Sequence, residues 1–227
     1  SHARRRGPDR RLLAGRRRGL PPPRGARHRR RGHDRVRPDR PLVRRRALGI
    51  RPDLLTAGKG STSGYFPFGF AACSGEVFET VRSAGFVHGF TWSHNGVGAA
   101  VALATLRRLR EDDLVEASAA KGERLLKGIA AALEDRPIVG DVRGLGLMVG
   151  VELVADRGSK TPFPRSAQVT ERVVAAARDA GLLLYSSTGH LDGRDGDLVM
   201  VGPPFIITDD ELDLLIERAA AAIAAIT

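Results

Sequence analysis

Residues 53–60 read Asp53-Leu54-Leu55-Thr56-Ala57-Gly58-Lys59-Gly60. An apolar pair leads into a lysine with glycine on both sides, and a Gly/Ser-rich loop over 60–66 follows. The chain has only four lysines, so this placement stands out. It is not a P-loop: Asp53 stands where the first glycine belongs, and Gly60 follows the lysine instead of Ser or Thr. A lysine amine that is held, partly desolvated and deprotonated can form a Schiff base with an aldehyde. Small neighbours let a flat ring approach the backbone. By spacing alone, the plainer reading of a solvated loop lysine is favoured.

Downstream of this stretch the pattern alternates between strand and helix, the mark of an α/β fold. Residues 68–74 read as a buried strand, with Cys73 in the core. Residues 75–84 form a short helix, 95–110 a long Ala-rich one, and 113–134 an amphipathic one with Leu125, Ile129 and Leu133 at spacing four. Strands are expected over 137–142 and 145–153, the second with Leu145, Leu147, Val149, Val151 and Leu153 alternating on one face. A helix from about 167 ends at Gly181, strands follow at 182–186 and 198–201, and a last helix opens with the capping box Thr208/Glu211. Ile207 and Leu212 suit a hydrophobic staple around that cap. A seam is expected near Asp112.

Other motifs fail. Residues 144–150 are one residue too long for a dinucleotide fingerprint and lie in a strand pattern. Residues 60–64 are no nucleophile elbow, and the six histidines show no metal-ligand spacing. One cysteine excludes an intrachain disulfide and a multi-cysteine zinc site. No run of about 18 apolar residues is present, so no membrane-spanning helix is expected. No apolar signal-peptide core is present either, and a reducing cytoplasmic setting is the default.

Residues 53–60, then Phe66-Pro67-Phe68-Gly69, then His88-Gly89-Phe90-Thr91-Trp92-Ser93-His94-Asn95 together resemble the class III aminotransferases, fold-type I enzymes that use pyridoxal phosphate. Ile138-Val139-Gly140-Asp141-Val142-Arg143-Gly144-Leu145-Gly146-Leu147-Met148 and Pro203-Pro204 extend the likeness over residues 47–227. The resemblance implies the C-terminal part of a fold-type I transferase: a remnant of the large cofactor-binding domain with its linking helix over 47–111, and a small α/β domain over 112–227. It makes Lys59 the Schiff-base lysine and proton shuttle. It makes Thr91 a hydrogen-bond donor to the cofactor phosphate of a neighbouring subunit, so that a homodimer completes the site. Without the family, Thr91 reads equally as a helix cap. It implies a small-molecule amino donor and a carbonyl acceptor as partners. His88 and His94 read as structural residues, Arg143 as a turn anchor, and Trp92 as either a pocket wall or packing. The polar loop 188–196 suits the border of a site. Some relatives hold a substrate carboxylate with an arginine near the Pro-Pro; Met200-Val201-Gly202-Pro203-Pro204 offers none.

The first 50 residues differ from the rest. They hold 19 arginines against three acids, a balance of 19 − 3 = +16 in a chain of net charge +11, so the remainder is 11 − 16 = −5. Residues 1–46 read as a disordered Arg-rich leader. As a basic arm it would bind nucleic acid through phosphates, but it has no lysine and no aromatic for base stacking, which makes nucleic acid a disfavoured partner. The first residue is Ser1, consistent with a fragment or a processed product. The family expects a carboxylate against the pyridine nitrogen about thirty residues before the lysine, and Arg30 stands there. Read one base out of frame with suitable synonymous codons, residues 24–43 become GVLVIVDEVMTGFGRTGRWF, with the Asp at Arg30 and the Glu at Arg31. The expectation is an out-of-frame leader up to about residue 46, with the frame restored between Arg44 and Ala47. The function implied is pyridoxal-phosphate-dependent transamination in a truncated, impaired form with apolar edges exposed around 68–74. The alternatives are a nucleic-acid-binding protein with an arginine arm, or an inactive fragment.

Overall fold

The computed structural model describes residues 52–226, all within one compact unit, Pro41–Thr227. The expected leader over 1–46, Arg30 and the shifted-frame stretch lie outside the described residues.

Alternating valines build the centre of the larger sheet. Val149, Val151 and Leu153 lie on one face of β4 (Met148–Leu153) and are buried; branched side chains favour a pleated, covered surface. β3 (Val139–Leu145) and β6 (Asp197–Val201) flank β4 antiparallel, and β5 (Tyr185–Thr188) adds to β6, giving the order β3-β4-β6-β5. The register pairs Val149 with Val201 and Val151 with Val199, so four buried valines share one face. Three helices, α3 (Leu114–Ala132), α4 (Val169–Asp179) and α5 (Asp209–Ala224), contribute to the same core. Leu125 and Ile129 of α3 and Leu133 at its C-cap are fully buried, each worth about 2 kcal/mol of transfer free energy.

The ends of the helices are chemically defined. Thr208 and Glu211 form the expected capping box at α5, and Ile207 and Leu212 on either side of the cap are both buried. Gly181 (φ +74) terminates α4: its N–H donates to Arg178 O at 2.9 Å, and Leu182 N–H donates to Ala177 O at 2.8 Å, the two bonds of a Schellman end. At its start α4 has no local cap, because Gln168 makes no side-chain bond. Asp197 of β6 takes that role from 27 residues away. Its Oδ1 accepts from Thr170 N–H at 3.1 Å and from the Thr170 hydroxyl at 2.6 Å, and Asp197 is 3% exposed.

Before α3 the architecture thins. β1 (Leu54–Ala57) and β2 (Phe70–Cys73) form a two-stranded antiparallel ribbon, Leu54 opposite Cys73 and Ala57 opposite Phe70. α1 (Gly75–Ala84) is capped by Ser74, and α2 (Gly96–Glu111) by Asn95, whose Oδ1 accepts from Gly98 N–H at 2.8 Å. Among the described residues, Ala102 is the only buried hydrophobic side chain that precedes α3.

Several expectations are corrected. The strand expected at 68–74 is not buried: Ala71, Ala72 and Cys73 are exposed, because the ribbon has a single partner strand and no covering layer among the described residues. Cys73 is therefore an exposed free thiol, not a core residue. The strand expected at 182–186 begins at Tyr185, since Leu182 is used in the Schellman end. Leu145 leaves the buried face (46% exposed) because Gly146 (φ +57) and Leu147 form a two-residue turn between β3 and β4, and the alternation restarts after it. No helix among the described residues is long and apolar enough to cross a membrane.

Candidate active site around the lysine turn

A 3-10 turn, Lys59–Thr62, follows β1. Lys59 opens it in the left-handed region at φ +47, between Gly58 in an extended conformation and Gly60. For a residue with a side chain that conformation costs on the order of 1–2 kcal/mol, and such outliers concentrate at functional sites. The turn is closed by Ser61 N–H to Gly58 O and Ser63 N–H to Gly60 O, both 3.1 Å. Beneath it Thr62 is 1% exposed, and its hydroxyl donates to Phe66 O at 2.5 Å. At Gly69 a Cβ would sit 3.2 Å from Ala57 O, so a glycine lets the two strands close beside the lysine.

Helix α2 anchors both candidate segments. The Phe68 ring lies so close to Gly98 that a Cβ there would come within 2.4 Å of it, which seats the lysine loop on the helix. Thr91 lies in the turn just before Asn95, the α2 cap. That turn is closed by Ser93 N–H to Phe90 O at 2.9 Å and contains His94 at φ +58, its Nδ1 3.2 Å from Ser93 Oγ. Lys59 and Thr91 are both exposed.

The four lysines differ in their surroundings. Lys121 donates to Ile207 O and Lys160 to Gly140 O, and Lys127 pairs with Glu123 at 2.7 Å. The Lys59 amine alone makes no hydrogen bond or ion pair among the described residues. Trp92 is 66% exposed. His88 lies between the Phe86 and Phe90 rings, 5.8 and 5.9 Å from them. Arg143 does not anchor a turn: it bridges Asp141 of its own strand (2.7 Å) and Glu152 of β4 (2.6 Å), and Glu152, then Asp141, pushes its guanidinium pKa upward. The loop over 189–196 is stitched by Gly189 N–H to Gly196 O at 2.9 Å; the Asp192 carboxyl accepts from the backbone N–H of Asp195 and of Arg194, which holds its pKa down. A groove between α3 and α5, lined by Arg124, Lys127 and Asp213, includes neither Lys59 nor Thr91. Sequence reasoning missed Thr62 and the Phe68–Gly98 contact. The signal for the second was a glycine within the first turn of an Ala-rich helix.

The class-III aminotransferase family model matches residues 45–223. The chain belongs to the class-III aminotransferases. It is 36% identical to the aminotransferase YodT of Bacillus subtilis (strain 168) over 177 residues, 77% of this chain and 40% of that one. An (S)-enantioselective omega-transaminase from Thermomicrobium roseum matches with 40% identity and TM-score 0.71, over 80% of this chain and 39% of that one. An amine transaminase from an uncultivated Pseudomonas species, solved in its pyridoxal-phosphate-bound form, matches with 31% identity and TM-score 0.72, over 80% of this chain and 40% of that one. The chain is thus a mixed α/β portion of the fold-type I transaminase fold, spanning about two fifths of the length of these relatives.

Proposed function

We propose that the chain is the Lys59-bearing portion of a pyridoxal-phosphate-dependent transaminase that moves an amino group from a small-molecule donor to an oxo-acid or other carbonyl acceptor. The observation that carries this is the lysine itself: its amine unpaired among the described residues, exposed, and held at φ +47 between two glycines, in a chain of this family. The residues present suit the cofactor in two respects. Lys59 offers an amine with no competing partner among the described residues, and Thr91 offers an exposed hydroxyl on a turn held by α2. The third requirement, a carboxylate for the pyridine nitrogen, falls at Arg30, outside the described residues.

When bound, the cofactor supplies an electron sink in its ring. Lys59 Nζ would anchor it and then carry the proton between donor carbon and cofactor carbon. Thr91 would hydrogen-bond the phosphate in the neighbouring subunit of a homodimer. Residues 47–111 form the large-domain remnant on this reading and 112–227 the small domain, in keeping with the core that begins at α3. A reducing, cytoplasmic setting suits the exposed Cys73 thiol.

The missing carboxylate supports a chain impaired as it stands. The family match begins at residue 45, where the shifted reading of the leader ends, which supports an out-of-frame leader. Sequencing the coding DNA upstream of Ala47 tests it; absence of a one-base shift that yields DEVMTGFGRTG rejects it.

The lysine assignment is tested by incubating the chain with pyridoxal phosphate, reducing with borohydride and mapping the modified peptides. Lys59 is expected to take the label ahead of Lys121, Lys127 and Lys160, and Lys59→Ala to remove that preference. Equal labelling of all four lysines would reject the assignment.

A further inference from the structure

Among the described residues that precede α3, only Thr62, Gly98 and Ala102 are buried, so Thr62 is the one polar side chain sealed from water there. Gly98 and Ala102 stand one turn apart on α2, and the lysine turn packs against that helix. A hydroxyl taken out of water costs free energy unless it is hydrogen-bonded. The Thr62 hydroxyl has a single proton and two carbonyls in reach, Phe66 O at 2.5 Å and Lys59 O at 3.4 Å. The proton goes to the nearer one, which ties the turn to the segment that follows it. Strain brackets the same turn: Lys59 opens it at φ +47 and Ser63 closes it at φ +52. Side chains disfavour this left-handed conformation, and it persists only where the surrounding contacts over-determine it. The other hydroxyl of the turn, on Ser61, reaches Phe68 O only at 3.4 Å. A Cβ on Gly60 or Gly64 would meet nothing within 4 Å, so no packing at those two glycines holds the loop in shape.

We infer that Thr62 is a positioning residue for Lys59: its buried hydroxyl, bonded to Phe66 O, holds the turn in the conformation from which the Lys59 amine meets an aldehyde. Without that bond the backbone at Lys59 relaxes out of the left-handed region, and the amine at the end of a four-carbon stem is carried away with it. Thr62 has no chemistry of its own in this role, because its proton is engaged by Phe66 O. The inference rests on the role proposed for Lys59.

The test labels the full 227-residue chain with pyridoxal phosphate and borohydride, maps the label on all four lysines, and follows hydrogen exchange on the unlabelled chain. Thr62→Val keeps the shape of the side chain and removes the hydroxyl; Thr62→Ser keeps the hydroxyl. Thr62→Val should lower the Lys59 label, relative to Lys121, Lys127 and Lys160, by about tenfold, the effect of losing one buried hydrogen bond. Thr62→Ser should restore it. Ser61→Ala, which removes only the longer bond, should leave the label within about twofold of the parent. The Ser63 and Tyr65 amides, which donate to Gly60 O and Thr62 O, should exchange faster in Thr62→Val, while amides of α3 to α5 keep their protection. A Lys59 label undiminished in Thr62→Val keeps the lysine's role and overturns the inference. A loss that Thr62→Ser does not restore, or one accompanied by unprotected α3 to α5 amides, also overturns it. No Lys59 preference in the parent chain rejects the lysine's role itself, and Thr62 is then a brace of the turn and not a positioning residue.

Discussion

At the scale of single residues, hydrogen bonds hold three surface carboxyls below their ordinary pKa. The Glu211 carboxyl is held below its ordinary pKa by the backbone N–H of Thr208 and then by the Thr208 hydroxyl. Glu171 is held down chiefly by Arg165, and Asp192 by the backbone N–H groups of Asp195 and Arg194. In each case the folded state favours the charged form. The stability they contribute is present above the unfolded-state pKa and is lost as pH falls through the depressed folded values. Urea midpoints should therefore be flat from neutral pH down to about 5, then fall below about 4.3. Glu211→Gln should flatten part of that slope. An unchanged slope in the variant would mean that the capping-box carboxylate is not what titrates.

At the scale of elements, close approaches decide which helices can move. A Cβ on Gly122 of α3 would lie 2.2 Å from the backbone carbon and oxygen of Gly146, in the turn between β3 and β4. Neither backbone can yield, so Gly122→Ala should cost roughly 2–3 kcal/mol despite a helix-propensity gain of about 1. On the same helix a Cβ on Gly128 would meet only the end of the Ile216 side chain, at 2.6 Å. That side chain can rotate, and Gly128→Ala should be neutral within about 0.5 kcal/mol. Denaturant unfolding of the two variants separates them. The same elements show what was legible in the sequence. The α5 cap was read to the residue, because Thr208 and Glu211 are local signals; the bounds of α1 also match, although residue 74, its cap, was assigned to the preceding strand. The start of β5 was misplaced because a Schellman end consumes a residue that periodicity assigns to the strand. The exposure of Cys73 was not legible, since whether an apolar strand is covered depends on layers remote in sequence.

At the scale of the whole molecule, nearly all of the buried apolar core among the described residues lies from α3 onward. Limited digestion with thermolysin, which cleaves beside exposed apolar residues, should cut first between residues 85 and 95 and leave a resistant piece spanning α3 to α5. First cuts within β4 or β6 would contradict that gradient. The candidate site sits before that core, and its lysine was legible as a motif while its surroundings were not: Gly58, Lys59 and Gly60 are adjacent in sequence, whereas Gly98 meets the loop through the Phe68 ring. The remote cap on α4 also bears on the order of synthesis. A ribosome releases the first turn of that helix before Asp197 exists, so its amide and hydroxyl at Thr170 wait for 27 more residues before their acceptor arrives. The small-domain core is thereby tied to completion of its penultimate stretch of chain, and a nascent product that stalls short of residue 197 keeps an unsealed helix facing water.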